Sequence, residues 1–535
     1  MKERLLGSDT PGDFGHLLFL FAAFLAADRL TRRFASISAD RLFSSVPVHQ
    51  AVVENLVVFA LLLLGLGVIA AVGFPRLLCR WDALDHGYVL RRVGAAVVIW
   101  LVWRAAAYDF NYVLDRWHWV DRVLVAALGC GAVWRPIFLV PFVAQVRVIG
   151  GQFSYPLGTA FSQVFDELLL LVLLVVGVAY LLHAVTGRRA SSSILLIWST
   201  IVAAHLFEPG RAKLMMGWLQ SNDVSLLSFN SYTAGWRGQG SGEYARRLGT
   251  LIAAIGWPVK VGTLVLELGA LAAVLHPRLF RVWLPMAATF HALTFAMTGF
   301  FFFDWLAFEL GLCVVLSMSS LRPWVESNAT PMRAAFAMSV VVLGASVYHT
   351  PSLAWLDAPV AYGYEVEATG RSGRQYHVPL SAFAPFEQEL TFSQINLSPN
   401  RRAVGGYGAT GSAELVAELR TLDDVGGLAR IEAGLAPTSP YPDSLSERLM
   451  TSFFRRVNAD EGTSTNFLAA PSRFWSGRPS PSYRNDEPLD DLHVTLVASL
   501  TVDGAQQFRR TPVLIISRAP GGEPRLERLA TSLSR

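Results

Sequence analysis

Over the first 350 positions, long apolar runs alternate with short segments rich in arginine, proline and glycine. The runs cover residues 52–74, 93–107, 165–182, 191–207, 260–278, 281–309 and 333–347. A hydrocarbon layer needs roughly 20 helical residues to cross, so the pattern predicts a polytopic α-helical membrane protein with about 8–10 membrane helices. Residues 14–27 form a shorter apolar run, followed by Asp28, Arg29, Arg32 and Arg33. That length suits a signal-peptide core, but the absence of a clear cleavage site favours a retained first helix or an interfacial one. Run 123–146 is interrupted by Arg135-Pro136 and reads as one broken span or two half-spans, enclosed by protein. Arg104, inside 93–107, is read as structural, pairing with an acid such as Asp109 or snorkelling. Asp166 and Glu167 read as caps at the start of a helix. The stretch 218–249, rich in Gly, Ser and aromatics, reads as a long polar loop, with Asn230, Tyr232 and Trp236 at a mouth or on a re-entrant surface.

After residue 350 the pattern changes. Residues 362–368 and 375–379 alternate as strands do, and 492–500 and 511–516 flank Asp503-Gly504, a hairpin signal. Residues 413–433 and 444–457 carry helical spacing, and 464–485 is a Pro/Ser/Arg-rich loop. Residues 351–535 are therefore expected to form a C-terminal soluble α+β domain, outside the membrane, after a membrane domain over 1–350. Gly406 to Gly411 matches G-x-G-x-x-G, but loop-like residues precede it where a dinucleotide site needs a strand, so it reads as a turn or anion nest.

Composition sharpens this picture. Of 535 residues 53% are hydrophobic and 16% charged, against about 25% charged in soluble domains. The net charge of +4 comes without a basic stripe interleaved with aromatics. It reads as membrane orientation, with no nucleic acid as a partner. The three cysteines lie in or beside apolar segments, and no Cys/His spacing suits a metal, so none is expected. Placing Arg188-Arg189, Arg278, Arg281 and Arg322 on the cytoplasmic side of a cell membrane makes the C-terminal domain extracytoplasmic; Arg29 to Arg41 argues the other way.

The chemistry concentrates in His205-Leu-Phe-Glu208-Pro-Gly-Arg211-Ala-Lys213-Leu-Met-Met-Gly-Trp218. Charge at the edge of a hydrocarbon layer is costly and marks function by default. Pro209-Gly210 is expected to end or kink one helix and start another, putting Lys213 near a positive helix end where a neutral amine is favoured. Such a lysine would serve as a base. The same residues also suit a membrane-face loop with Lys213 snorkelling. Downstream, Glu267 lies inside one apolar run and His291 inside the next, followed by Gly299, Phe300 to Phe303, Asp304 and Trp305. A buried carboxylate must pair or protonate, and His291 or Lys213 are its candidate partners.

This order of residues resembles the transmembrane domain of vitamin K-dependent γ-carboxylase and its bacterial relatives, the horizontally transferred transmembrane (HTTM) proteins, over roughly residues 85–320. The resemblance implies a reduced quinone of the vitamin K or menaquinol type as cofactor and Lys213 as the base that deprotonates it. It implies catalytic roles for His118 and His291, support from His205, Glu208, Glu267 and Asp304, and cofactor contacts from Trp218, Trp236 and Phe302. The family's second lysine is replaced here by Ala212. The resulting expectation is a quinol-dependent oxygenase or carboxylase acting on a peptide or protein substrate held by the C-terminal domain. The alternative is a non-catalytic membrane protein that binds or exports a peptide or lipid, with the C-terminal domain as recognition module.

Overall fold

A computed structural model describes residues 11–37, 46–77, 81–84, 87–107, 119–154, 161–188, 191–236, 242–383, 387–391, 397, 402–435, 443–459, 481–484, 486–519 and 522–529. As far as residue 347 the elements among the described residues are all helical. Helices α1 (Pro11–Ala35), α2 (Pro47–Glu54), α3 (Leu56–Leu77) and α4 (Gly87–Ala107) are followed by α5 (Trp119–Trp134), α6 (Leu139–Ser154), α7 (Phe161–Thr186) and α8 (Ser191–Met215). Two short helices, α9 (Trp218–Ser221) and α10 (Leu226–Thr233), precede α11 (Gly242–Ala254), α12 (Gly256–Ala273), α13 (Pro277–Thr298) and α14 (Phe303–Ser317). The helical part closes with α15 (Arg322–Ser327), α16 (Pro331–Val342) and α17 (Gly344–Val347).

Burial sorts these helices. The apolar windows of α7 and α8 are 83% and 94% buried, so they form the centre of the bundle. A helix that is apolar on all sides belongs in such a place. α3 is just as apolar, yet its window is only 6% buried, with Val57, Leu61, Leu64, Val68 and Val72 open to the surroundings. Among the described residues four helices, in α1, α3, α7 and α8, are long and apolar enough to cross a membrane, or six if α11–α12 and α14–α15 each count as one bent span. α5 and α6 are 16 residues each, split at Arg135-Pro136, where a 3₁₀ turn (Pro136–Phe138) intervenes. α4 carries Arg91, Arg92 and Arg104 along its length.

The expected break at Pro209-Gly210 does not occur: α8 is continuous through both residues. Proline removes one N–H from the helix ladder, a local penalty that close packing on every side outweighs. Gly210 has its own reason. A Cβ there would meet Glu267 Cβ at 2.7 Å and Leu268 N at 3.2 Å, so the missing side chain lets α8 lie against the backbone of α12. The stretch 218–249 is likewise mostly helical, in α9, α10 and the start of α11.

The C-terminal part is built on a five-stranded antiparallel sheet in the order β3-β2-β5-β6-β7, with a two-stranded ribbon, β1-β4, beside it. The elements in chain order are β1 (Leu356–Asp357), β2 (Val360–Gly370), β3 (Gln375–His377), α18 (Glu387–Thr391), β4 (Ala409–Thr410), α19 (Ala413–Leu419) and α20 (Leu428–Gly434), then α21 (Asp443–Ala459), β5 (Leu489–Val502), β6 (Ala505–Arg518) and β7 (Pro524–Arg528). The expected hairpin is present: β5 and β6 turn at Asp503 and Gly504, both at positive φ (50° and 76°), the backbone a two-residue turn requires. The expected helix 413–433 is instead two helices, α19 and α20. Gly406–Gly408 is a buried turn leading into β4, not a phosphate loop after a strand. Most of loop 464–485 lies outside the described residues.

The sheet domain is fastened to the helices through α10. Asn230, fully buried, donates to the carbonyls of Ala358 (3.0 Å) and Tyr407 (2.9 Å). Thr233 bonds Ser499 (2.6 Å), Gln506 donates to Phe229 O (2.9 Å), and the Tyr407 hydroxyl donates to Thr298 O (3.1 Å). Asn230 is therefore a joint, not the lip of a mouth; Tyr232 packs near Phe508, 6.2 Å between rings. Asp357 closes the joint by accepting from Asn222 (2.7 Å) and Trp355 (3.1 Å). Burial is the largest influence on Asp357 and pushes its carboxyl up to about 6, despite those two bonds. Because the folded state then holds this proton more tightly than the unfolded chain, stability falls as pH rises from about 4 to about 6 and levels off above. The drop is at most roughly 3 kcal/mol. Thermal melts across that window should show the slope, and Asp357→Asn should flatten it.

Candidate functional site

Lys213 stands in the last turn of α8, one turn beyond Gly210. The close approach at Gly210 brings α12 alongside, and Lys213 Nζ lies 2.5 Å from Glu267 Oε1. The Lys213 side chain is 12% exposed and that of Glu267 2%. Trp218, one turn further along the chain, holds its ring 5.8 Å from Nζ. This corrects the expected placement at a positive helix end. The last turn of a helix presents carbonyls, which favour a cation, and Glu267 adds a carboxylate. Lys213 is thus half of an ion pair and not an isolated amine. Glu267 Oε2 is buried without a hydrogen-bond partner.

A second pair sits across α13 and α14. His291 Nδ1 lies 3.0 Å from Glu309 Oε2, and both side chains are buried. Glu309 Oε1 is likewise buried and unpartnered. The His291 ring is boxed by Phe302 (5.3 Å) and Trp305 (5.4 Å), and Trp305 in turn meets His205 edge-on at 5.5 Å. His291 also acts electrostatically on Glu267. The two pairs are therefore within electrostatic reach of each other. Of the candidate partners for Glu267, Lys213 makes the direct bond and His291 the longer-range contact.

Glu309 had no role in the sequence reading. Its signal was present: it follows Trp305 by four residues, which puts the two on one helix face beneath the ring that packs on His291.

The remaining candidates divide. Phe302 and Trp218 sit against His291 and Lys213 as described. His205 is buried, and its Nδ1 lies 2.7 Å from Ile201 O, so the imidazole is tied into its own helix and reaches the site only through Trp305. Glu208 is occupied by Arg211 (2.6 Å), one turn along α8. Asp304 is buried and accepts the Trp305 N–H (3.2 Å) in the first turn of α14, a helix-start role. Trp236 packs on Phe295 (5.4 Å) in an aromatic cluster with Phe300 and Tyr407 that borders Phe302. His118 and Asp109 lie outside the described residues. Among the described residues no group of three or more His, Cys, Asp or Glu is placed to hold a metal ion.

A larger charge network, not anticipated, lies between α1, α6 and α7. The Arg147 guanidinium donates to Asp28 Oδ1 (2.6 Å), Glu167 Oε1 (2.5 Å) and Thr31 Oγ1 (2.5 Å). Arg32 reaches the same two carboxylates, Asp28 at 2.9 Å and Glu167 at 2.5 Å. Arg104 lies 3.4 Å from Asp166. Asp166 and Glu167 are therefore interhelical partners and not caps, since α7 begins at Phe161. Two cations and two carboxylates balance in the Arg147 network and bind three helices together.

No protein-family model, curated protein or solved structure matches this chain, so the reading of its site stands on the geometry above and on the residue pattern.

Proposed function

We propose that the chain is a multi-pass cell-membrane protein of the γ-carboxylase-like, HTTM type, and that its two buried base–carboxylate pairs accept protons from a reduced quinone. Support for the membrane setting is α3, apolar throughout and almost entirely uncovered, together with exposed Val261, Val265, Val282, Leu293 and Val314 on α12 to α14. A soluble protein rarely leaves so much apolar surface in contact with water. α8 has 25 residues, or about 37 Å of helix, so Arg188 before it and Lys213 in its last turn lie at opposite faces. With Arg188, Arg278, Arg281 and Arg322 cytoplasmic, Lys213 and the C-terminal domain are extracytoplasmic.

The observation that carries the chemistry is the matched pair of orphaned oxygens. Glu267 Oε2 and Glu309 Oε1 are each buried and unpartnered, on carboxylates whose other oxygen is held by a base. An unmet buried acceptor is costly, and a hydroxyl donor relieves it. A dihydroxy aromatic ligand would supply such donors: Glu267 and Glu309 would accept its hydroxyls, with the rings of Phe302 and Trp305 beside His291 and of Trp218 beside Lys213 as apolar neighbours. When bound, a hydroquinone supplies weakly acidic protons and two electrons for oxygen. Glu267 takes a proton at Oε2 while Lys213 holds its other oxygen, and Glu309 does so at Oε1 while His291 holds Oε2. The product class is then that of a quinol-dependent oxygenase or carboxylase, with a peptide or protein substrate at the C-terminal domain.

The test is gentle extraction followed by mass spectrometry for copurified quinone, and oxygen uptake after reconstitution with menaquinol. Bound quinone and menaquinol-dependent uptake are expected; neither would be seen if the pairs are structural. The second reading, a non-catalytic binder or exporter of peptide or lipid, predicts peptide binding that needs the C-terminal domain and consumes no oxygen.

A further inference from the structure

α11 and α12 meet at an elbow of 78°. Inside it lies a cavity of about 380 Å³, walled by residues 220–224 at the end of α9 and just beyond it, by Trp257 and Lys260 of the elbow, and by Arg420 of the C-terminal domain. That volume falls in the range of small-ligand sites. None of the paired residues of the proposed proton site lines it.

The wall is cationic. Lys260 Nζ donates to the carbonyls of Leu219 (2.7 Å) and Asn222 (3.2 Å), with the Trp257 ring 5.1 Å away. An ammonium has three donors, so one remains for a ligand. Arg420, exposed, spends one of its five donors on Ser221 O (3.3 Å). The acid on this wall, Asp223, is turned to its own loop, where Oδ1 accepts from Ser225 N (3.1 Å) and Ser225 Oγ (2.6 Å). Beside the cavity the elbow is apolar and uncovered: Leu251, Ile255, Trp257, Val261 and Val265 are between 43% and 63% exposed. Charge with free donors on one side and bare hydrocarbon on the other matches a molecule that is anionic at one end and greasy at the other. Tryptophan at such a boundary marks the headgroup level of a bilayer, and arginine with lysine is the donor set that suits phosphate.

We propose that the elbow cavity binds the phosphate of an anionic phospholipid, with its acyl chains along the exposed face of α11 and α12. This rests on the membrane setting and not on the quinol chemistry. It also ties the C-terminal domain to the lipid surface, because Arg420 comes from that domain and Lys260 from the helices.

The test is native mass spectrometry of the full chain from detergent micelles, titrated with phosphatidylglycerol, with phosphatidylcholine, or with inorganic phosphate. Phosphatidylglycerol should be retained over phosphatidylcholine, and Arg420→Glu should weaken its retention about tenfold or more. Arg420→Glu is the primary variant because Lys260→Gln also removes two carbonyl contacts; Arg420→Lys should keep most of the retention. Equal retention of both lipids, or retention indifferent to Arg420→Glu, overturns the proposal. Displacement of the lipid by equimolar inorganic phosphate overturns it too, in favour of a soluble phosphate ligand. A chain that stays dispersed in buffer without detergent refutes the membrane setting instead, before any lipid is added.

Discussion

Lys213→Ala is expected to lower menaquinol-dependent oxygen uptake at least 100-fold, within the range of lost general-base catalysis, and to lower the melting temperature as well. The stability loss has a definite origin. Removing the ammonium leaves Glu267 buried with both oxygens unpartnered, and breaking a buried pair from one side costs about 3–5 kcal/mol. The 12% exposure of the Lys213 side chain places the loss at the lower end of that range. Two further variants separate chemistry from structure. Lys213→Arg keeps the charge and the pair and leaves Glu267 as the proton acceptor; it should melt near the parent and retain most of the uptake. Lys213→Met combined with Glu267→Leu removes both charges and should recover stability, as apolar replacements of buried pairs often do, without recovering uptake. An oxygen electrode and a thermal melt on the same detergent samples read both. If the double variant still consumes oxygen, Lys213 and Glu267 are only a clasp between α8 and α12.

That clasp shows how far a chain can be read. Lys213, Glu267 and His291 each announce themselves as polar residues within apolar runs, and the Lys213–Glu267 contact was among the pairings the pattern allowed. The local signals misled where packing overrode them. Pro209-Gly210 looks like a helix end, but α8 is enclosed on nearly every side and the glycine serves an approach to α12 that only three dimensions reveal. The same error reversed the dipole argument for Lys213. The Asp503-Gly504 hairpin was legible because both turn residues must take positive φ, a constraint within the turn itself. Asn230 was not: its two acceptors are 128 and 177 residues away. Glu309 falls between these cases, readable from its spacing to Trp305 once the histidine on the facing helix is known.

Arg147 belongs with the illegible residues, since it meets Asp28 across 119 positions, and its replacement should be the most damaging to the fold. Arg147→Ala removes donors to Asp28 O, Asp28 Oδ1, Thr31 Oγ1 and Glu167 Oε1 together. Arg32 stays in place but is 28% exposed and must then serve both carboxylates alone, one of them fully enclosed. The expected loss is about 3–5 kcal/mol, seen as a large fall in folded yield and in melting temperature followed by tryptophan fluorescence. Arg147→Lys should recover only part, because an ammonium presents three donors from one atom and cannot span acceptors on α1 and α7 as a guanidinium fork does. Arg147→Met with Glu167→Gln removes one charge of each sign and leaves Asp28 with Arg32. It should melt above Arg147→Ala, since the uncompensated buried carboxylate, not the lost bonds, is the larger part of the damage. A melt of Arg147→Ala that coincides with the parent would mean that water reaches Asp28, and that α1 is held by its apolar face alone.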